Sequence, residues 1–270
     1  MRRPRPSPAD GAAPPAGAIL GVPVHATDLT SATRTILRLA DSGQPHMVLL
    51  RDAASLMQAV DDPALLSLHG RASLVLADGA PVALAGRLAG HAVKRTPGAD
   101  LVDAVCAASL ATGKRHFFYG GRPGIAERMA ANLAARYPGL AIAGTLTPPM
   151  RDIDAAHRLD AESRRELERI RGADPDFIWV GLSSPKQDFW MALALPHLRR
   201  GVCLGVGAAF DFQSGAMPRA PRWMRDNGLE WLHRLWREPR RLWRRYLVLA
   251  PRFVLLFAAE RLLRRKGGRP

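Results

Sequence analysis

The residues best suited to chemistry stand where an apolar run gives way to a loop and then a helix. In VLADG, residues 75–79, Asp78 follows the run directly and Gly79 keeps its surroundings open. A carboxylate there can take a proton from a hydroxyl as a general base, or it can cap the next helix. In FFYGGRPG, residues 117–124, Gly120 and Gly121 can adopt positive φ and bring the backbone close to a phosphate at a helix start. An ordinary tight turn uses glycine in the same way. In VGLSSPKQ, residues 180–187, Gly181, two serines, Pro185, Lys186 and Gln187 crowd one turn. Such groups can hold a phosphate or a sugar hydroxyl, with Pro185 fit for the first turn of the following helix. In GVGAAFD, residues 205–211, half of a dinucleotide fingerprint is present. Phe210 takes the place of its third glycine and no clean amphipathic helix follows, which excludes a standard NAD site. Asp211 can accept hydrogen bonds from a ribose or a base.

Two Asp-x-Asp triplets, Asp152/Asp154 and Asp174/Asp176, follow no buried strand directly, as a metal-bound nucleotide-sugar site requires. No metal or other cofactor is expected. Cys106 and Cys203 are far apart in apolar surroundings and read as buried free thiols.

Positioning these loops requires a layered α/β framework. Six short apolar runs, at 46–51, 73–77, 116–119, 140–144, 177–180 and 202–206, read as strands. Helix-length segments at 53–60, 81–89, 100–111, 124–137, 155–171 and 186–195 separate them. Near-continuous apolar strands alternating with helices predict a mostly parallel, Rossmann-like sheet covered on both faces. Ligands of such sheets bind at the carboxyl ends of the strands, which is where the loops above fall.

The net charge of +15 is segregated. Residues 219–270 hold fifteen Arg and Lys against four acids, a net +11, together with four of the six tryptophans. A local basic cluster calls for an anionic partner. Pro239 divides this segment into helices expected at 220–238 and 239–263. Arg241, Arg244 and Arg245 share one face. Trp236, Trp243 and Tyr246 suit the headgroup level of a membrane, and the apolar stretch 247–259 suits its interface. No uncharged apolar run is long enough to span a bilayer, and the Pro- and Arg-rich start lacks the apolar stretch of a signal peptide. The expected organisation is a disordered tail over 1–17, an α/β catalytic domain over 18–216 and a helical, basic, membrane-associating arm over 217–270. The expected location is cytoplasmic, peripheral on the inner face of the cytoplasmic membrane.

Taken in order, ADGAP (77–81), KRTPGADL (94–101), FYGGRPG (118–124), YPG (137–139), VGLSSPKQD (180–188), GVGAAFD (205–211), RAPRW (219–223) and GLEWLHRLWREPRR (228–241) resemble the WecG/TagA/CpsF family of bacterial glycosyltransferases, glycosyltransferase family 26. The match covers about residues 45–246. The resemblance implies an inverting, metal-independent transfer of a sugar, N-acetylmannosamine-like or another hexose, from a UDP-sugar to a polyprenyl-diphosphate-linked saccharide in cell-surface or exopolysaccharide biosynthesis. It makes Asp78 the catalytic base, and Gln187 and Arg95 polar groups of the site. Arg234, Arg241 and Arg244 become arm residues reaching the diphosphate. Asp100, Gly120, Gly121, Gly181, Pro185, Lys186, Phe210 and Asp211 complete the expected substrate-binding set. Three positions depart from the family pattern: Leu50 for Thr, Asp52 for Asn and Asp188 for Glu.

Partners expected are the UDP-sugar, the lipid-linked acceptor and an anionic membrane surface, with oligomerisation left open. Two other readings use the same features. One is a non-catalytic nucleotide-sugar-binding membrane adaptor. The other is a nucleic-acid-binding protein using the Arg/Trp arm, against which stand the apolar stretch 247–259 and a core without a nucleic-acid motif; no nucleic acid is expected.

Overall fold

The computed structural model describes residues 14–154 and 156–267. The first thirteen residues of the expected tail lie outside them. Beyond that point the chain is already structured: β1 (Ala16–Ile19) and β2 (Val22–His25) form an antiparallel hairpin. Then follow α1 (Leu29–Asp41), β3 (Pro45–Arg51), α2 (Ala53–Asp61), α3 (Pro63–Arg71), β4 (Leu74–Ala77), α4 (Ala80–Leu88), α5 (Gly98–Ser109), β5 (Arg115–Gly120) and α6 (Ile125–Arg136). The core continues through β6 (Ala141–Leu146), α7 (Ala161–Ala173), β7 (Phe177–Gly181), α8 (Lys186–Ala194), β8 (Gly201–Gly205) and α9 (Ala209–Gln213).

Strands β3 to β8 make one parallel sheet in the order β4-β3-β8-β7-β5-β6. Alternate residues along each strand supply two apolar layers. Met47, Leu49, Ile178, Val180 and Cys203 face one side; Val48, Leu74, Leu76, Trp179 and Leu204 face the other. Both cysteines are free and buried. From β3 the chain moves outward to β4, whereas β8 is reached from β7 on its other side. The crevice beyond the carboxyl ends of β3 and β8 is therefore a topological switch point, the usual ligand site of open α/β sheets.

Helices start where an acid can take their free N–H groups. Asp28 accepts from the Ser31 N–H, and Asp160 from the Ser163 N–H. Asp52 and Ser55 form a reciprocal box at the start of α2. The segment expected to be helical from 155 is helical only from Ala161, where Asp160 supplies the cap.

The basic arm departs from expectation in three ways. Its first helix is broken into α10 (Arg222–Asp226) and α11 (Glu230–Arg237), because Gly228, at φ +71°, turns the chain between them. Its second part runs as α12 (Pro239–Trp243), a π-helical turn (Arg244–Leu249) and α13 (Ala250–Gly267). And only one side of the stretch 247–259 is outward: Phe253 and Phe257 are buried in the same layer as Met47 and Ile178. Among the described residues no helix is long and apolar enough to cross a membrane.

Candidate active site

The carboxyl ends of β3, β4, β7 and β8, roofed by the arm, enclose a cleft of about 880 Å³. On its floor, the register Arg51 to Ala77 brings Asp52 and Asp78 out of adjacent strands side by side. Asp78 does not cap α4, whose N-cap is Gly79 without a side-chain bond. Its Oδ1 instead accepts the Gly98 N–H at 2.9 Å, at the start of α5. Among the described residues its other oxygen has no hydrogen-bond partner. Burial first, then the neighbouring Asp52 carboxylate, pushes the Asp78 carboxyl above its usual range; the Gly98 N–H and Arg95 pull the other way. A carboxylate with raised proton affinity and one open oxygen is suited to receive a proton.

Asp52 has the opposite balance. Burial would raise it, but Arg245 and the Ser55 N–H and hydroxyl outweigh burial and hold it below the usual range. The Arg245 Nη2 lies 2.8 Å from Asp52 Oδ2.

The loop after β7 forms the next wall. Ser183 and Ser184 line the cleft, with Ser183 in the left-handed region at φ +66°. A buried charge network supports them from beneath. The Arg51 side chain donates to Ser184 Oγ at 3.1 Å, to Asp188 at 3.2 Å and to His69 Nε2 at 2.7 Å, and Ser184 donates to Asp188. Burial, with Arg51 adding to it, pushes His69 down to about 4, so its ring is the neutral acceptor this contact needs. Gln187 lies over the bare backbone of Gly205, where a Cβ would come within 2.9 Å of Gln187 Nε2. Its Oε1 is buried without a partner, a carbonyl short of a donor at the edge of the cleft.

The arm supplies the roof. Arg95 clasps it to the core, donating to the Asp78 carbonyl at 2.9 Å, the Arg225 carbonyl at 3.0 Å and Glu230 at 2.7 Å. Arg219 pairs with Asp100 at 2.6 Å. Arg234 stacks 5.8 Å from the Phe212 ring centroid, and its Nε is buried without a partner. Arg241 and Arg244 also line the cleft; Arg241 pairs with Glu238 at 2.6 Å, while Arg244 has no ion pair among the described residues. Tyr246, expected at a membrane headgroup level, instead lines the cleft beside Trp231, with ring centroids 5.8 Å apart.

The structure thus gathers Asp78, Arg95, Gln187, Arg234, Arg241 and Arg244 around one cavity. The other expected substrate contacts do not line it. A Cβ at Gly120 would meet the Gly181 backbone at 2.8 Å, and one at Gly181 the Phe210 ring at 2.6 Å. These glycines, with Gly121, admit the buried Phe210 to the core. Lys186 turns to Asp152 at 2.6 Å, Asp211 faces Arg122 at 3.6 Å, and Asp100 is taken by Arg219. Pro185 follows the cleft-lining Ser184 through a cis peptide. The second Asp-x-Asp triplet is occupied by Arg200, which reaches both Asp174 and Asp176. Among the described residues no three His, Cys, Asp or Glu side chains are grouped as metal ligands.

The two serines of the loop after β7, read from the sequence as able to hold a phosphate or a sugar hydroxyl, do line the cleft, whereas Asp52, Arg219, Glu230, Trp231 and Arg245 were not assigned to the site. Two carried a signal: Glu230 is an isolated acid in a basic segment, and Arg245 shares a helix face with Arg241.

A cleft at the switch point of a parallel sheet, with a carboxylate on the floor and arginines in the roof, is suited to an anionic ligand. The sequence profile of the glycosyl transferase WecG/TagA/CpsF family matches residues 18–267; the chain belongs to this family and is a glycosyltransferase. Two similar proteins are both named N-acetylglucosaminyldiphosphoundecaprenol N-acetyl-beta-D-mannosaminyltransferase. The one from Bacillus spizizenii (strain ATCC 23059 / NRRL B-14472 / W23) is 29% identical over 198 residues, covering 73% of this chain and 72% of the relative. The one from Bacillus subtilis (strain 168) is 27% identical over 203 residues, 75% of each. A solved structure, unliganded arylmalonate decarboxylase, aligns with a TM-score of 0.29 at 16% identity, over 66% of this chain and 96% of that one.

Proposed function

We propose that the protein is an inverting transferase that moves N-acetylmannosamine or a related hexose from a UDP-sugar to a saccharide carried on a polyprenyl diphosphate, for cell-surface or exopolysaccharide synthesis. The observation that carries this reading is the opposition of charges across one cleft, with Asp78 on the floor and Arg234, Arg241 and Arg244 in the roof. The names of the two relatives support the acceptor and the sugar.

In the reaction the acceptor hydroxyl gives its proton to the open oxygen of Asp78 as its oxygen bonds to the anomeric carbon. The bond from that carbon to the diphosphate oxygen of UDP breaks, and its electron pair leaves with UDP. The arm arginines take the charge that develops on the diphosphate, a task suited to a fixed, always-charged fork. No metal takes part in this step. Arg95, with its donors committed to Asp78 and Glu230, holds floor and roof together. The buried Gln187 carbonyl takes an N–H or O–H of the substrate.

The arm also faces outward with Trp236, Leu255, Leu262 and Leu263, each more than half exposed. Interleaved with its arginines, these suit an anionic membrane surface, where a polyprenyl chain resides. On this reading the core over 18–216 performs the transfer and the arm over 217–270 joins site and membrane at the cytoplasmic face.

The test is a donor screen in which UDP release is measured with several UDP-sugars and a short-chain lipid-diphosphate N-acetylglucosamine. The expected result is acceptor-dependent UDP release, highest with UDP-N-acetylmannosamine or a close relative. UDP-sugar binding without turnover on any lipid-diphosphate acceptor overturns the reading and favours a nucleotide-sugar-binding adaptor.

A further inference from the structure

Neighbouring strands lie about 4.8 Å apart, so Asp52 and Asp78, one step beyond the paired residues Arg51 and Ala77, leave the sheet as a carboxylate dyad. A Cβ on Gly79 would stand 3.0 Å from the Asp52 Cβ, which shows how tightly the two strand ends are drawn together. Two carboxylates sharing such a site hold one proton between them unless a cation intervenes. Among the described residues, the cation touching this dyad is Arg245, whose Nε donates to Asp52 Oδ2 at 3.0 Å and whose Nη2 lies 2.8 Å from it. The other Asp52 oxygen accepts the Ser55 N–H and hydroxyl, both at 2.9 Å. Among the described residues, other charged or titratable groups acting on the dyad include Arg95, Glu230 and Tyr246, with Arg234 beside Tyr246. Arg95 and Glu230 are paired with each other, and Arg95 reaches only the main-chain carbonyl of Asp78.

Arg245 belongs to the π-helical turn of the arm, not to the core. The charge that settles the dyad is therefore delivered by the segment that closes the cleft. We propose that Arg245 is a positioning residue for the transfer: docked on Asp52, it lets both carboxylates stay ionised, so that Asp78 receives the acceptor's proton only while the arm is closed. The proposal rests on the reading of Asp78 as the base. When the arm lifts, Arg245 leaves with it, Asp52 and Asp78 share a proton, and the base is silent. A donor bound in the open state is then spared attack by base-activated water.

The test compares kcat across pH for the full chain and for Arg245→Gln, Asp52→Asn, the double variant and Asp78→Asn, using UDP release with a UDP-sugar and a short-chain lipid-diphosphate acceptor. Asparagine caps a helix as well as aspartate, so Asp52→Asn removes the charge and keeps the start of α2. In Arg245→Gln the acidic limb of the profile is expected to move up by about one pH unit, lowering turnover about tenfold on its acid side. Adding Asp52→Asn removes the repulsion that Arg245 had answered, so the double variant is expected to recover most of that loss. A residue that merely braces the arm gives no such recovery. A double variant no better than Arg245→Gln, or an unmoved limb in Arg245→Gln, overturns the proposal while Asp78→Asn still reports on the base. Full turnover by Asp78→Asn overturns the base reading and the role of Arg245 with it.

Discussion

Phe253 lies on the arm yet is only 2% exposed. Its ring is nearly parallel to that of Phe257, with centroids 6.2 Å apart, and both belong to the apolar layer on one side of the sheet. Phe253→Ala removes this filling from a closed site, a change that costs about 3–5 kcal/mol. Of the arginine–carboxylate pairs that join arm to core, Arg252–Asp61 is the most exposed, and an exposed pair contributes about 0–1 kcal/mol. Such a pair does not offset the loss. If the loss falls on docking alone, 3 kcal/mol moves the closed–open equilibrium by about two orders of magnitude. Native-state hydrogen exchange reads this directly: amides of α13 should lose about a hundredfold in protection while those of β7 and β8 keep theirs. Unchanged protection in α13 would show that the phenylalanines do not hold the arm. Equal loss in the strands would show that arm and core open as one unit, refuting a separately docking roof.

Three further outcomes follow from the buried contacts. Asp188→Ala strips Arg51 of its anion in a site where both side chains are fully buried, and is expected to lower unfolding free energy by about 3–5 kcal/mol in denaturant titration; a loss of only about 0.5 kcal/mol, typical of surface substitutions, would refute the supporting role of this network. Gly181→Ala sets a methyl 2.6 Å from the Phe210 ring and should destabilise by about 1–3 kcal/mol, whereas an unmoved midpoint would mean that Phe210 yields freely. His69 and His116 are both pushed down to about 4, chiefly by burial. Their neutral forms therefore favour folding above the ordinary value of 6.5, and that contribution is lost as pH falls from 6.5 toward 4; imidazole NMR signals that titrate near 6.5 would contradict it.

The parallel sheet was legible because most of its strands are short apolar runs, as in FIWV of β7, and continuous burial leaves little choice of residue; only the edge strand β6, AIAGTL, is half-buried along most of its length. Helix α1 was missed although Leu29, Ala32, Ile36 and Ala40 recur at helical spacing behind the Asp28 cap; Thr33 and Thr35 are buried beside them. The hairpin β1–β2 has strands too short to show an alternating pattern. In the site, strand-end loops were legible as places but not as contacts. Gly120, Gly121 and Gly181 have the composition of a phosphate cradle, and a bare backbone serves a phenylalanine ring equally well. Asp52 and Arg245, separated by 193 positions, could be joined only by folding: local periodicity fixes the face of a helix and says nothing about the partner that face will meet.

The arm changes pitch once along its second half. In the turn Arg244–Leu249, the Ala250 N–H bonds to the Arg245 carbonyl five residues back. Pro251 has no N–H to return to Leu247, and its ring would strike that carbonyl in a tighter turn; the wider turn relieves both. Such a widening inserts one residue's rotation, roughly 100° in a helix of 3.6 residues per turn. The helix therefore works like a camshaft whose two lobes the wide turn brings into phase: at roughly 100° per residue Phe253 would stand about 80° round from Arg245, and the widening removes about that much. One lobe, Phe253 and Phe257, rides on the sheet; the other, Arg245, comes round to Asp52. In an uninterrupted α-helix, seating either lobe would swing the other away from its seat. The timing between them is set by Pro251, a residue with neither charge nor hydrogen to donate.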